Sequence, residues 1–257
     1  MAKRIGIISH LYAQPLFSGF KGREHPLFLA VEDSSAQLAI KLRQKNLDGA
    51  FLSPIDYAKD YSMYRIVPEV AAVSEGESGA IMLFFNENLA RINTLAVHPE
   101  NVSEIVLASI VLSEKFDIKP KIIPIIQGIE AGLQQADAFL AVGDEAHNSK
   151  DRTNKMDLVD EWKDITDLPY VHGVWVARED ALTKEEIKSL IEMGKNSASM
   201  LNENSAVESQ DSLMQFRYDL DENASSSLTE FFRMSYYHGI LKDLPDVKFF
   251  HMDNNNS

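Results

Sequence analysis

Over roughly the first 180 residues, short apolar runs rich in β-branched side chains alternate with helical patterns, the signature of an α/β sheet protein. Arg4 to Ser9 reads as a buried strand. Ser34 to Asn46 reads as an amphipathic helix with Leu38, Ile40 and Leu42 among its apolar positions, and Gly49 to Ser53 as a second strand. Tyr64 to Pro68 leads into a further strand, and Ala80 to Phe85 is strongly strand-like. After Asn86-Glu87-Asn88 the alternation restarts: strand at Thr94 to Val97, helix at Asn101 to Phe116, strand at Lys121 to Ile126, helix at Gly128 to Ala136 and strand at Ala138 to Val142. A helix at Asp157 to Thr166 and a strand at Val171 to Ala177 complete that unit.

The remaining chain is helical in pattern. Thr183-Lys184-Glu185-Glu186 is a capping box, in which hydroxyl and carboxylate satisfy each other's free backbone donors. A helix from about Asp221 to His238 stops at Gly239, Asn202 to Ser212 reads as a polar loop or frayed helix, and His251 to Ser257 as a polar tail. The restart after Asn88 predicts a two-part molecule: residues 1–88 with 176–257 in one lobe, and residues 89–175 inserted as the other, with a ligand cleft between them.

Composition narrows the chemistry. The 257 residues include no cysteine, which excludes disulfides, thiolate metal sites and cysteine nucleophiles. A formal charge of −14, from 25 basic and 39 acidic side chains, repels phosphate backbones, and no basic patch offsets it, so nucleic acid is not an expected partner. The apolar run at the N-terminus stops at Ser9-His10, too short for a signal peptide, and no segment approaches a membrane span. The expectation is a cytoplasmic protein, monomer or homodimer, that binds a small molecule without metal or organic cofactor.

GxGxxG, P-loop, GxSxG and HExxH motifs are all absent. What remains is a set of loops at strand ends, where open α/β sheets bind ligands. The first, Ser9 to Pro15, either offers Ser9, His10 and Tyr12 as a pocket wall or is an ordinary turn. The second, His98 to Glu104, either holds an anion on exposed N–H groups near Asn101 and on the Ser103 hydroxyl, or forms a capping box of Asn101 with Glu104. The third follows the strand ending at Val142. There Gly143 permits close backbone approach, and Asp144 bonds a ligand or caps the next helix.

Several segments together resemble a known family. Ser9, Leu11, Pro15 and Leu16 near the start, Gly143-Asp144, Leu158-Val159-Asp160-Glu161-Trp162 with Leu168-Pro169-Tyr170-Val171 and Val174-Trp175, then Phe216 to Leu220, are similar to the chorismate dehydratase family of the futalosine route to menaquinone. The resemblance covers about residues 4–250, and the Asp157 to Val171 stretch is its most specific part. It implies the type-II periplasmic-binding-protein fold, each lobe a mixed sheet flanked by helices. It also implies a cofactor-free carbon–oxygen lyase that converts chorismate to an enolpyruvyl benzoate.

The binding loops depart from the family pattern. Tyr12 stands where the family has an asparagine thought to serve catalysis; Ser53-Pro54 inverts a Pro-Ser; Ala80 replaces a serine; and Asn101-Val102-Ser103-Glu104 replaces Ser-Arg-Thr-Ser. Ala80 and Val102 offer no side-chain donor, Pro54 lacks even the backbone one, and an ionised Glu104 would repel a carboxylate. Two readings follow. In one, Tyr12, His10 or Ser9 assumes the role at the reacting hydroxyl, Ser103 holds a carboxylate, and Ser53, Asn101, Gly143 and Asp144 complete the site. In the other, the chain is a non-catalytic or re-specialised paralogue for another small anionic or aromatic molecule.

Overall fold

The structure is a computed structural model that describes residues 2–20, 25–87, 91–203 and 215–252. Part of the polar segment after Asn202 and the end of the C-terminal tail lie outside them. Two sheets organise the chain. The first contains β1 (Lys3–Ile7), β2 (Phe28–Glu32), β3 (Gly49–Leu52), β4 (Tyr64–Ser74), β10 (Tyr170–Arg178) and β11 (Phe216–Arg217), in the order β11-β4-β10-β3-β1-β2. The second contains β5 (Ile81–Phe85), β6 (Thr94–Val97), β7 (Lys121–Pro124), β8 (Ala138–Val142) and β9 (Lys155–Asp157), in the order β7-β6-β8-β5-β9. The helices are α1 (Ser35–Arg43), α2 (Pro54–Ala58), α3 (Val102–Phe116), α4 (Ile129–Gln135), α5 (Asp144–His147), α6 (Leu158–Thr166), α7 (Lys184–Glu203) and α8 (Glu222–Tyr237), with a 3-10 helix at Leu11–Phe20. This is the mixed α/β, periplasmic-binding-protein-like architecture that the alternation and the resemblance lead one to expect.

The strands sort between the sheets differently from the boundaries at 88 and 175. β5 lies in the second sheet, antiparallel to β8 from Ile81 opposite Val142 to Phe85 opposite Ala138. β10 lies in the first, antiparallel to both β3 and β4. A strand buried on both faces needs a partner along each edge. Eight of the nine residues of β10 are buried, and only the gap between β3 and β4 supplies both partners. The chain therefore crosses twice, after β4 and before β10. Asp157 ties the first crossing down: its carboxylate accepts from the N–H groups of Ser78 (2.8 Å) and Gly79 (2.6 Å) while also capping α6 through Val159 N (2.8 Å).

Within each sheet the parallel strands β1, β2 and β3, and β6, β7 and β8, run side by side, so their C-terminal ends share one edge. β2, β9, β11 and α2 were not legible in the sequence pattern. The 3-10 helix occupies what reads there as a simple loop, its Pro15 set within it. The Thr183 capping box forms as expected, with Thr183 N donating to Glu186 Oε2 (2.8 Å) and Glu186 N to Thr183 Oγ1 (3.2 Å). Asp221 caps α8 through Ala224 N (2.8 Å), and Gly239, at φ 69°, takes the left-handed turn that ends that helix.

The family-like segment from Trp162 onward is core. Trp162 is fully buried against Tyr170 and Phe231, edge-on at 6.2 and 5.8 Å. Its indole N–H reaches both Pro169 O (3.1 Å) and Ser227 Oγ (3.3 Å), and Ser227 in turn donates to Pro169 O. This packing joins α6, the return into β10, and α8.

Candidate functional site

A cleft of about 400 Å³ opens where the strand ends of the two sheets meet. From the first sheet it is lined by Ile8, Ser9, His10 and Tyr12 after β1, by Glu32, Asp33, Ser34 and Ser35 after β2, by Ser53 after β3, and by His172 within β10. From the second it is lined by His98, Glu100 and Asn101 between β6 and α3, and by Glu104 in the first turn of α3. Such crevices arise because parallel strands release their chains into loops at one common edge. The N-termini of α1 and α3 open onto the same space. Ser34 caps the first, accepting from Gln37 N at 3.4 Å.

The floor is aromatic. The His10 and Tyr12 rings stack at 5.3 Å, Tyr12 stacks on Phe216 at 5.5 Å, and His172 lies 5.0 Å from Tyr12 and from Tyr170. Burial lowers the His10 pKa against the opposing pull of Asp144, and it raises the Tyr12 hydroxyl with help from Glu104 and Asp144, so both groups are neutral at neutral pH. His172 is pushed down to about 3 by burial and by His10. Its Nε2 pairs with Ser74 Oγ at 2.7 Å, while Nδ1 and the neighbouring Tyr170 hydroxyl are buried without a hydrogen-bond partner among the described residues. Glu104 is buried too, and desolvation, reinforced by the Asp56 charge, pushes its carboxyl up to about 7.

Behind the cleft a polar knot joins the starts of three helices. Asp56 accepts from Ser35 Oγ (2.7 Å) and Ser53 Oγ (2.9 Å) and pairs with Lys59 (2.9 Å). Ser35 accepts from Ser53 N (2.8 Å). Ser103 donates to Ser53 Oγ (3.0 Å) and accepts from Ile55 N (2.9 Å). At the mouth, Asp33 is an anion held low by Lys41 (2.5 Å) and by Ser34 N (2.9 Å). Among the described residues that line the cleft there is no lysine or arginine. Nor, among the described residues, does any group of three or more His, Cys, Asp or Glu side chains form a potential metal site. No described helix is long and apolar enough to cross a membrane.

The structure brings Ser9, His10, Tyr12, Ser53 and Asn101 to this one cleft. It places three other expected site residues elsewhere. Ser103 is fully buried in the knot, its hydroxyl committed to Ser53 and Ile55, so it is not available to a ligand carboxylate. Gly143 and Asp144 stand behind His10 rather than on the lining. At φ 62° Gly143 packs so closely that an added Cβ would lie 2.3 Å from His10 Nδ1, and Asp144 acts on His10 through its charge. Asp144 is also not the cap of its helix, a position that Gly143 takes. The Asn101–Glu104 capping box is absent as well: Asn101 makes no side-chain cap bond, and the Glu104 carboxyl accepts from its own backbone N–H.

Three of the departures from the family pattern also lie off the cleft lining. Pro54 opens α2, Val102 opens α3 and Ala80 precedes β5; none of the three lines it. Tyr12 and Glu104 do. The residues that sequence reasoning passed over are His172, His98, Glu100 and the run Glu32 to Ser35. A histidine inside the apolar run Tyr170 to Ala177 was the available signal for His172. Ser34 was already legible as the start of a helix, and reading β2 before it would have set that start at a strand end.

Comparison with known proteins bears on this geometry. A family model described as "Menaquinone biosynthesis" matches residues 3–237. Among solved structures, a protein from Archaeoglobus fulgidus aligns at 18% identity over 93% of this chain and 98% of its own, with a TM-score of 0.74. The periplasmic aliphatic sulphonate binding protein of Escherichia coli aligns at 13% identity over 96% and 95%, TM-score 0.65. A Candida albicans gene product with the generic periplasmic binding protein fold aligns at 11% over both full chains, TM-score 0.66. At these identities the structural matches show the fold.

Proposed function

The chain belongs to the menaquinone biosynthesis family, and on that premise we propose that its cleft acts as a carbon–oxygen lyase, dehydrating chorismate to an enolpyruvyl benzoate. In this proposal each sheet with its helices is a lobe, and the lobes close on the ligand. The observation that carries it is the stacked His10–Tyr12 pair at the end of β1, set in a cleft onto which α1 and α3 open. The two helix N-termini, with the Ser9 and Ser34 hydroxyls, favour a ligand carboxylate; the rings cover the face of the cyclohexadiene.

Loss of water from such a ring requires removal of the ring proton on the carbon bearing the ether and departure of the adjacent hydroxyl. His10, kept neutral by burial, has a free base form at working pH and takes that proton. Tyr12 and Ser9 hydrogen-bond the substrate oxygens. Ser53 and Ser103 act through the knot that fixes the helix starts, not on the ligand. The test is an assay of purified protein with chorismate, following loss of the cyclohexadiene absorbance. Turnover at an ordinary enzymatic rate, about 1 s⁻¹ or faster, supports the lyase; no loss of absorbance overturns it.

A second reading has its own observation. The lining carries Glu32, Asp33 and Glu100 and, among the described residues, no cationic side chain, an unusual host for a dianion. A re-specialised member of the family would bind a molecule with fewer negative charges. It would show no chorismate turnover and no thermal shift with chorismate.

A further inference from the structure

We propose that Glu104 is the proton donor to the departing hydroxyl, a role that rests on the dehydration reading above. Its position carries the inference. Glu104 sits in the first turn of α3, is 7% exposed, and lines the cleft that His10 and Tyr12 also line. Its charge helps to raise the hydroxyls of Tyr12 on the 3-10 helix and Tyr170 on β10. The other charged group acting on it is Asp56 of α2, whose own charge is offset by Lys59. His10 and His172, lining the same cleft, are both held neutral. Among the described residues that line the site there is no lysine or arginine to keep Glu104 ionised, and burial holds its carboxyl near 7.

The step balances as follows. His10 accepts the ring proton, and the electron pair of that C–H bond becomes a ring double bond. The adjacent C–O bond breaks with its pair on oxygen, and the Glu104 proton completes the departing water. The products are the aromatic ring and water. His10, now protonated, returns its proton to the Glu104 carboxylate through solvent once the product has left. An ionised Glu104 does not supply that proton, so the unchanged protein loses activity as pH rises through about 7.

The test is the pH profile of chorismate turnover for the unchanged protein, Glu104→Gln and Glu104→Asp, with melting curves at pH 6 for each. A general acid contributes about 10²–10⁴-fold, so Glu104→Gln is expected to lose at least about 100-fold in kcat with KM little changed and to lose the alkaline limb. Glu104→Asp, which keeps a carboxyl, is expected to retain part of the rate and an alkaline limb. If the glutamine variant does not fold, the aspartate variant decides: an alkaline limb unmoved from that of the unchanged protein, with undiminished kcat, overturns the role. Full turnover by folded Glu104→Gln overturns the Glu104 role alone. Absence of turnover by the unchanged protein overturns the dehydration reading, and this role with it.

Discussion

Two regions meet at Tyr170, and their contrast is instructive. On one side its ring packs on Trp162, whose N–H finds both Pro169 O and Ser227 Oγ. On the other it packs on His172, whose Nδ1, like the Tyr170 hydroxyl itself, has no hydrogen-bond partner among the described residues. The Trp162 side meets the usual rule that buried polar groups are hydrogen-bonded. The cleft side violates it within a few ångströms, with a buried carboxyl at Glu104 whose proton is shifted toward neutral pH. In the second region, buried groups without a hydrogen-bond partner among the described residues are carried at a cost to the fold.

The largest effect that can test this contrast is in the packed half. Trp162→Ala empties a fully buried site and removes the N–H that Pro169 O and Ser227 Oγ accept, so unfolding in urea should show a loss of about 3–5 kcal/mol. A loss under about 1 kcal/mol would mean that the aromatic cluster is not the anchor of α6 and α8.

The cleft half should reveal itself through pH. Below the ordinary 4.5 Glu104 is neutral in both states. As pH rises toward 7 the unfolded chain has released its proton while the fold still holds it. Glu104 therefore lowers stability by on the order of 3 kcal/mol once pH exceeds about 7. His172 has the opposite sign: its contribution is present above 6.5 and is lost as pH falls toward about 3. Thermal melts from pH 4 to 9 should show Glu104→Gln flattening the fall between about pH 4.5 and 7, and His172→Phe the fall below about 6.5. Unchanged profiles would contradict the burial assigned to these groups.

Smaller effects separate fold from site. Ser103→Ala leaves the Ile55 N–H buried without its acceptor and should cost about 1–3 kcal/mol in chemical unfolding. Gly143→Ala strains a left-handed backbone by about 1 kcal/mol and displaces His10. Its expected signature is a loss of turnover larger than its loss of stability, read by comparing kcat with Tm.

The sequence made the scaffold legible for a physical reason. Thr94 to Val97 and Ala138 to Val142 are short apolar strands between polar breaks, and the Thr183 and Asp221 caps are local chemistry. The segments assigned to the wrong sheet, β5 and β10, read correctly as strands, but their partners were set by long-range pairing that no local pattern encodes. The cleft was legible at Ser9 to Tyr12, where a strand end announces it. It was not legible at His172, whose role comes from the rings that surround it, nor at Ser103, where a hydroxyl that suits an anion is used instead to fasten α3 to α2. Glu104 read as a repulsive charge, because only burial reveals that it holds its proton near neutrality.

The account stands most directly on whether the cleft at His10 and Tyr12 takes a carboxylate-bearing ring. Thermal unfolding of the unchanged protein with increasing chorismate measures this, with His10→Ala as the local control. At about 100 times the dissociation constant the ligand should add about 2.7 kcal/mol and raise Tm visibly, and His10→Ala should reduce the shift. An unmoved Tm at millimolar chorismate, or an equal shift in His10→Ala, would contradict the placement of the site.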